Sequence, residues 1–469
     1  MRIPLKKVLL LLTAGLIASC SRNNVIYSPS RDPITDEVIS NIEDSNPIIV
    51  VPGIGGTRLV DASNGKAAWG SYGFTSYWPS TAKENKLLAF PWTSDEADAR
   101  AENNTIKPLS VLEKVSINLF PFSSIDLAIY STIVRSLENA GYIRFKNWSL
   151  EKLNRDRPQP PLFEFAYDWR KSNADNAKEL EKFVDEKTKQ IKAENSTYGE
   201  KKFNIICHSM GCLVSRYFLR YGGQGLGTNT NPPELDWRGS KRVENIIMVA
   251  PPNKGSIEAL NNLVDGFHPH HIALIKYPAA VLGTMPSMYE LLPTEDIANA
   301  TNQNGEKIDL LNPELWQTMD WGLLDPKQNK ILNQISSEIT TKKNTLQEAQ
   351  LLQAKLLGQA RLFHSRMDIK KTPPEGLGFY LFAGVGKPTE SGILINTETK
   401  SWSVKSSDAG DGTVLKVSAF ALQNADDPEE GSIIPWNNAI FFFSTHMDLV
   451  QNNDLFANLY DILTWRDAL

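Results

Sequence analysis

The chain has 469 residues, 41% of them hydrophobic and 22% charged, with a formal net charge of −5. That composition supports a packed core and excludes disorder as the default reading, and the length suits two or three average domains or one core with large insertions. An acidic balance without a basic block argues against a nucleic-acid partner.

At the N-terminus Arg2, Lys6 and Lys7 precede the apolar run Val8 to Ala18. The run suits the hydrophobic region of a secretory signal and is too short to span a bilayer. Ile17-Ala18-Ser19-Cys20 resembles the bacterial lipobox, in which cleavage falls before a cysteine carrying diacylglycerol. Residues 1–19 therefore read as a leader, Cys20 as the point of lipid attachment, and residues 20–46 as a polar tether. The other reading is a plain signal peptide ending in a chance cysteine. Several acyl chains would anchor stably where one is marginal. With Ser21 and Arg22 after the cysteine and no Asp, the resemblance to enterobacterial lipoproteins leans towards the outer membrane of a bacterial cell envelope. The remaining cysteines, Cys207 and Cys212, suggest no disulfide framework, and a core of this size does not need one.

After the tether, Ile48-Ile49-Val50-Val51 is a short β-branched run stopped by Pro52-Gly53, the pattern of a strand buried on both faces. Similar runs recur at Leu162–Ala166, Phe203–Cys207, Val243–Ala250, Phe379–Ala383 and Ala439–Phe443. Helical patterns at Ser124–Ala140, Ala177–Ala193 and Gly211–Tyr221 lie between them. Such alternation predicts an α/β fold, a mostly parallel central sheet with helices on both faces. Two stretches break the rhythm. Residues 57–123 show no period, and residues 253–375 carry Pro-rich turns and a long amphipathic pattern from about Pro326 to Arg366. Both read as cap or lid insertions over the strand ends, in a domain running from 47 to 469. The stripe Leu346, Leu351, Leu352, Leu356 and Leu357 reads as cap packing.

The chemistry centres on Cys207-His208-Ser209-Met210-Gly211, where an apolar strand runs directly into a helical pattern. A nucleophile elbow needs that context: the serine occupies a strained turn, at a cost on the order of 1–3 kcal/mol, with its hydroxyl exposed. Strand and helix approach closely only if the residues two before and two after are small. Gly211 meets this, and Cys207 stands where glycine is more usual.

A serine hydroxyl needs a base, and the base needs a carboxylate to fix its tautomer. Of six histidines, His208 should face away within the turn. His268, His270 and His271 fall in a Phe-His-Pro-His-His loop of the cap, and His364 lies late in a long helix. His446 follows the last apolar strand, where this fold presents its base. Asp411, between Gly410 and Gly412, precedes it, with Asp408 the rival. The order Ser209, Asp411, His446 is that of α/β-hydrolases. The oxyanion of the intermediate needs backbone donors. The Met210 amide is one, and the loop Pro52-Gly53-Ile54-Gly55-Gly56 should supply the other.

At this point the sequence resembles the lecithin:cholesterol acyltransferase family, with its lysosomal phospholipase and phospholipid:diacylglycerol acyltransferase branches. The matching pieces run in order: I-I-V-V-P-G-I-G-G-T-R-L from Ile48, F-A-Y-D-W-R at Phe165–Arg170, C-H-S-M-G, A-P-P-N-K-G-S from Ala250, P-S-M-Y-E-L-L-P from Pro286, G-D-G-T-V and T-H-M. The resemblance implies Ser209 as nucleophile, Asp411 as acid, His446 as base, and oxyanion donors at Ile54 and Met210. It places Asp168, Trp169 and Arg170 near the mouth of the acyl site, where a plain packing cluster with an Arg–Asp pair is the other reading. The family's cysteine-tied lid has no counterpart here. The implied activity is acyl transfer or hydrolysis on a phospholipid or other fatty-acyl ester, with an alcohol or water as acceptor and no metal or organic cofactor. The rivals are a general esterase or thioesterase, and a non-catalytic surface lipoprotein keeping the fold.

Overall fold

A computed structural model describes residues 45–72, 76, 81–91, 105–120, 123–145, 159–194, 196–267, 276–336, 345–423 and 430–464. The leader, Cys20, nearly all of the tether, and His268, His270 and His271 lie outside these residues.

Among the described residues seven strands form one all-parallel sheet: β1 (Ile48–Val51), β2 (Ile143–Arg144), β3 (Pro161–Glu164), β4 (Phe203–His208), β5 (Val243–Val249), β6 (Gly378–Val385) and β7 (Asn438–Phe443). Their spatial order is β7-β6-β5-β4-β1-β3-β2. The six apolar runs of the sequence are all strands of this sheet. Helices α1 (Ser131–Asn139), α2 (Asn173–Glu194), α3 (Met210–Tyr221), α4 (Thr345–Asp368) and α5 (Asn453–Thr464) are the main helical elements used below.

Side chains alternate across a strand, so a sheet covered on both faces divides its apolar residues between two cores. Ile49, Val51, Ile205, Cys207, Ile246 and Met248 pack on the side of α2 and α3. Ile48, Val50, Ile206, Ile247 and Val249 pack on the opposite side, against α1 and α5. The result is a three-layer α/β/α sandwich. The chain leaves β1 towards β3 on one side and resumes with β4 on the other. The crevice at the C-terminal ends of β1 and β4 is therefore the topological switch point, where open α/β sheets place their ligands.

Several local readings fail for identifiable reasons. Ser124–Ala140 is not one helix: Ser123–Ala128 is a strand pairing antiparallel with Lys114–Phe120, and α1 begins only at Ser131. Hairpin pairing with the strand just before it overrides the local pattern there. Residues 57–123 also hold an antiparallel sheet of Thr57–Asp61, Ala67–Trp69 and Ile106–Val111 and a short helix Ala82–Leu88. These strands are too short and too broken by bulges to show a period. A hairpin of Lys387–Asn396 and Ser401–Gly410 went unread because its second strand is Ser-rich and largely exposed.

The leucine stripe divides. Leu356 and Leu357 are buried, but Leu346 and Leu351 are 55% and 52% exposed, so only part of the stripe packs as expected. No helix among the described residues is long and apolar enough to cross a membrane. Truncating Leu357 to alanine should cost about 2–5 kcal/mol of unfolding free energy. Leu351→Ala should change it by less than about 0.5 kcal/mol. Urea unfolding followed by circular dichroism would separate the two, and equal losses would contradict the packing of α4.

Candidate active site

The C-terminal end of β4 delivers Ser209 into a turn with φ 51° and ψ −129°, and α3 starts at the next residue. A non-glycine residue at positive φ is strained and persists only where its surroundings hold it. Here the holding is close. A Cβ on Gly211 would lie 2.3 Å from the Pro52 oxygen, and a Cβ on Gly53 would lie 2.8 Å from Ser209 Cβ. Strand β1, its following loop and α3 therefore meet with no room for a side chain at either glycine. Cys207 and Cys212 pair as a disulfide across this turn, their Cα atoms 4.9 Å apart. The expectation of unpaired cysteines is corrected: the sharp reversal at Ser209 brings the first turn of α3 back beside the strand.

His446 follows β7. Its Nε2 lies 2.9 Å from Ser209 Oγ and its Nδ1 2.8 Å from Asp411 Oδ2. A carboxylate only accepts, so Nδ1 carries the hydrogen and Nε2 is free to accept from the serine hydroxyl. The His446 main-chain N–H also donates to the Asp411 carbonyl at 3.0 Å. Asp411 Oδ1 accepts the amides of Thr413 and Val414 at 2.9 and 2.7 Å. Burial alone would push the Asp411 carboxyl up; the charge and hydrogen bond of His446 and these two amides outweigh it and hold it below its usual range. Ser209, Asp411 and His446 are 8%, 3% and 9% exposed, so the three form one buried hydrogen-bonded line. The rival Asp408 sits on the exposed strand of the hairpin.

The space beside the acid comes from a glycine far from it in sequence. A Cβ on Gly384, at the end of β6, would lie 2.5 Å from Asp411 Cβ, while one on Gly410 would strike Thr389 and Val414. Gly412 takes φ 91° in the turn after the acid.

The loop after β1 is fixed from several sides. The Gly53 amide donates to Tyr130 Oη at 2.8 Å, Tyr167 donates to the Pro52 carbonyl at 2.8 Å, and Trp69 Nε1 donates to the Gly55 carbonyl at 2.6 Å. Ile54 lies half-buried between these contacts, and Met210 is fully buried at the start of α3. His208 does not serve Ser209: its Nδ1 meets Tyr130 Oη and its Nε2 the His446 carbonyl. Tyr130, His208, Trp69 and Gly384 are site residues that the sequence reading missed or set aside. Only His208 carried a signal, by standing next to the serine.

Asp168 and Arg170 form a buried two-point ion pair, Nε–Oδ1 2.9 Å and Nη2–Oδ2 2.8 Å. Burial works against the Asp168 charge, but the Arg170 guanidinium holds its carboxyl below the usual range. Arg170 Nη1 donates to the carbonyls of Leu87 and Leu88, and Trp169 Nε1 to the carbonyl of Thr57. Trp169 packs edge-on against Trp69. These contacts join Thr57, Trp69, Leu87 and Leu88 to the core, and none of them reaches Ser209. Among the described residues no three His, Cys, Asp or Glu side chains are grouped to hold a metal ion.

A parallel sheet wound about a switch point, with a strained serine after its central strand and a histidine and an aspartate on later loops, is the α/β-hydrolase fold. A family model, Lecithin:cholesterol acyltransferase, matches residues 111–420. The chain belongs to the lecithin:cholesterol acyltransferase family. Lecithin-cholesterol acyltransferase-like 4 of Arabidopsis thaliana is 28% identical over 273 residues, 53% of this chain and 43% of that protein. The matched stretch thus spans less than half the length of this curated relative. The crystal structure of the Tle4–Tli4 complex includes a chain that is 14% identical and superposes with a TM-score of 0.54, covering 89% of this chain and 98% of that one. At that identity the likeness is one of fold.

Burial raises the pKa of two further carboxyls among the described residues. Glu84, on the helix Ala82–Leu88, has no hydrogen-bond partner for either oxygen among the described residues, and burial pushes it up to about 8. Burial also pushes Glu290 up to about 8, although its Oε2 accepts the Asn173 amide at 2.6 Å at the start of α2. A carboxyl whose pKa rises on folding binds a proton as the chain folds. Its contribution is complete below the unfolded value near 4.5 and is lost as pH climbs through about 8. Wild-type stability should therefore decline across that window. Glu84→Gln and Glu290→Gln should each flatten the decline in melting temperature measured against pH. A slope unchanged in both variants would contradict their burial as neutral acids.

Proposed function

We propose that the chain is a serine-dependent acyltransferase or lipase, acting on a fatty-acyl ester of a phospholipid or related lipid through an acyl-enzyme on Ser209. The observation that carries this is the single imidazole of His446 bridging the Ser209 hydroxyl and the Asp411 carboxylate in the required tautomer.

As Ser209 Oγ attacks the ester carbonyl, His446 Nε2 takes the hydroxyl proton, and the imidazolium is stabilised by Asp411. The tetrahedral oxyanion would be held by the amides of Ile54 and Met210. The Gly53 amide is already committed to Tyr130, which favours Ile54 as the donor in that loop. Collapse of the intermediate breaks the ester bond, and His446 returns its proton to the leaving alcohol. A second alcohol, or water, then gives its proton to His446, attacks the acyl-enzyme and restores the Ser209 hydroxyl. These groups account for every bond and proton without a cofactor.

Asp168, Trp169 and Arg170 would act on substrate indirectly, by holding the backbone of Thr57, Leu87 and Leu88 in a cap formed by insertions at about 57–123 and 253–375. The domain would run from 47 to 469 behind a leader of residues 1–19 and a tether of 20–46. Diacylglycerol on Cys20 would hold the enzyme on a membrane of the bacterial envelope, most simply the outer one, where its substrate is concentrated. Cys20→Ser should then move the protein from the membrane to the soluble fraction, and unchanged membrane retention would contradict the anchor.

Incubating the protein with phospholipid vesicles, with and without a long-chain alcohol, and resolving products by mass spectrometry tests the activity. Free fatty acid or a new ester is expected from the wild type. Ser209→Ala should lose at least about 10³-fold in turnover. A new ester formed only with alcohol identifies a transferase, and fatty acid alone a lipase. Turnover that survives Ser209→Ala, or no product from either protein, would overturn the proposal.

A further inference from the structure

Behind the nucleophile turn a chain of hydrogen bonds connects two parts of the site that are far apart in sequence. The Gly53 amide donates to Tyr130 Oη at 2.8 Å, Tyr130 Oη lies 2.8 Å from His208 Nδ1, and His208 Nε2 lies 3.2 Å from the main-chain oxygen of His446. Tyr130 and His208 are 2% and 4% exposed.

The partners fix the direction of every bond. A carbonyl oxygen only accepts, so His208 Nε2 carries the hydrogen. Burial, reinforced by the neighbouring His446, pushes the His208 pKa down to about 3. The ring is therefore neutral at any working pH, and its Nδ1 is an acceptor. Tyr130 O–H must donate to it, which leaves the tyrosine oxygen to accept from Gly53. One arrangement of hydrogens satisfies all four groups, and no other does.

We propose that Tyr130 and His208 are positioning residues that tie the oxyanion loop to the main chain of the base. The inference rests on the reading of Ser209 and His446 given above. One end of the tie holds the Pro52–Gly53 peptide, one peptide before the Ile54 N–H. The other end holds the His446 carbonyl, while the Asp411 carbonyl holds the His446 N–H at 3.0 Å. The base is thereby fixed at both of its main-chain polar groups, and a shift of the oxyanion loop would be felt at the imidazole. The neutrality of His208 serves the chemistry as well. Its ring centroid lies 4.9 Å from that of His446. A second cation there would oppose the imidazolium that forms as Ser209 attacks.

Three variants of the full chain test this. Tyr130→Phe keeps the ring and removes the hydroxyl. His208→Leu removes both ring nitrogens, and His208→Gln offers an amide N–H for the His446 carbonyl and an amide oxygen for Tyr130, though not in the fixed geometry of the ring. In the Ser209-dependent ester assay, kcat should fall about tenfold to hundredfold in Tyr130→Phe and His208→Leu, and less in His208→Gln, with KM little changed. Tyr130→Phe combined with His208→Leu should be no worse than the poorer single variant, because either change already breaks the tie. Folding of each variant is checked by circular dichroism at the assay temperature. Folded variants with kcat within twofold of wild type, or with multiplicative losses in the double variant, would overturn the proposal.

A second readout does not depend on turnover. Nitrogen-15 NMR of the ring nitrogens should show His208 as the neutral Nε2–H tautomer across neutral pH. Tyr130→Phe should shift the His446 ring resonances. A titrating His208, or His446 resonances unmoved by Tyr130→Phe, would exclude the tie. If turnover instead persists in Ser209→Ala, the functional reading fails while the NMR result still decides this one.

Discussion

The close approach of β1, the loop that follows it and the start of α3 is the constraint on which the rest of the structure depends. Gly211 lies against the Pro52 carbonyl, and Gly53 lies against Ser209. With no side chain between them, the β4–α3 connection is forced into a turn that leaves Ser209 at positive φ. That geometry costs on the order of 1–3 kcal/mol and survives because the sheet on one side and α3 on the other leave the turn no alternative. It aims Oγ into the crevice where the sheet changes winding direction, and the loops after β6 and β7 converge on the same crevice. A buried serine, a buried imidazole and a buried carboxylate can then form one hydrogen-bonded line.

The architecture of the sheet was legible because each of its principal strands is a short apolar run bounded by turn residues, a pattern that burial on both faces imposes. The nucleophile and its partners were legible for a related reason: Ser209 stands directly after a strand, Asp411 in a glycine-flanked turn, and His446 in the short loop that follows β7. The antiparallel strands of residues 57–128 were not legible. Ser123–Ala128 pairs with Lys114–Phe120, and nothing in its own six residues reports that partner. The hairpin leading into Asp411 was hidden for the opposite reason, since an exposed Ser-rich strand has no apolar face to betray it.

His208 shows where reading by role falls short. Its position beside the serine excluded it as the base, and that exclusion stands, since both of its nitrogens are occupied. What the sequence could not supply was Tyr130, from the start of α1 some eighty residues earlier, whose hydroxyl completes the contact. Likewise, the room beside Asp411 comes from Gly384 on β6 rather than from the glycines adjacent to the acid. In both cases the deciding neighbour is brought in by the sheet, and only the folded chain reveals it.

The most direct test of the central claim is covalent. The folded protein would be treated with a fluorophosphonate, and the modified residue located by peptide mass spectrometry. The account predicts a single phosphonyl group on Ser209, with labelling strongly slowed in His446→Ala and abolished in Ser209→Ala. Modification at another serine, or a rate indifferent to His446, would contradict it.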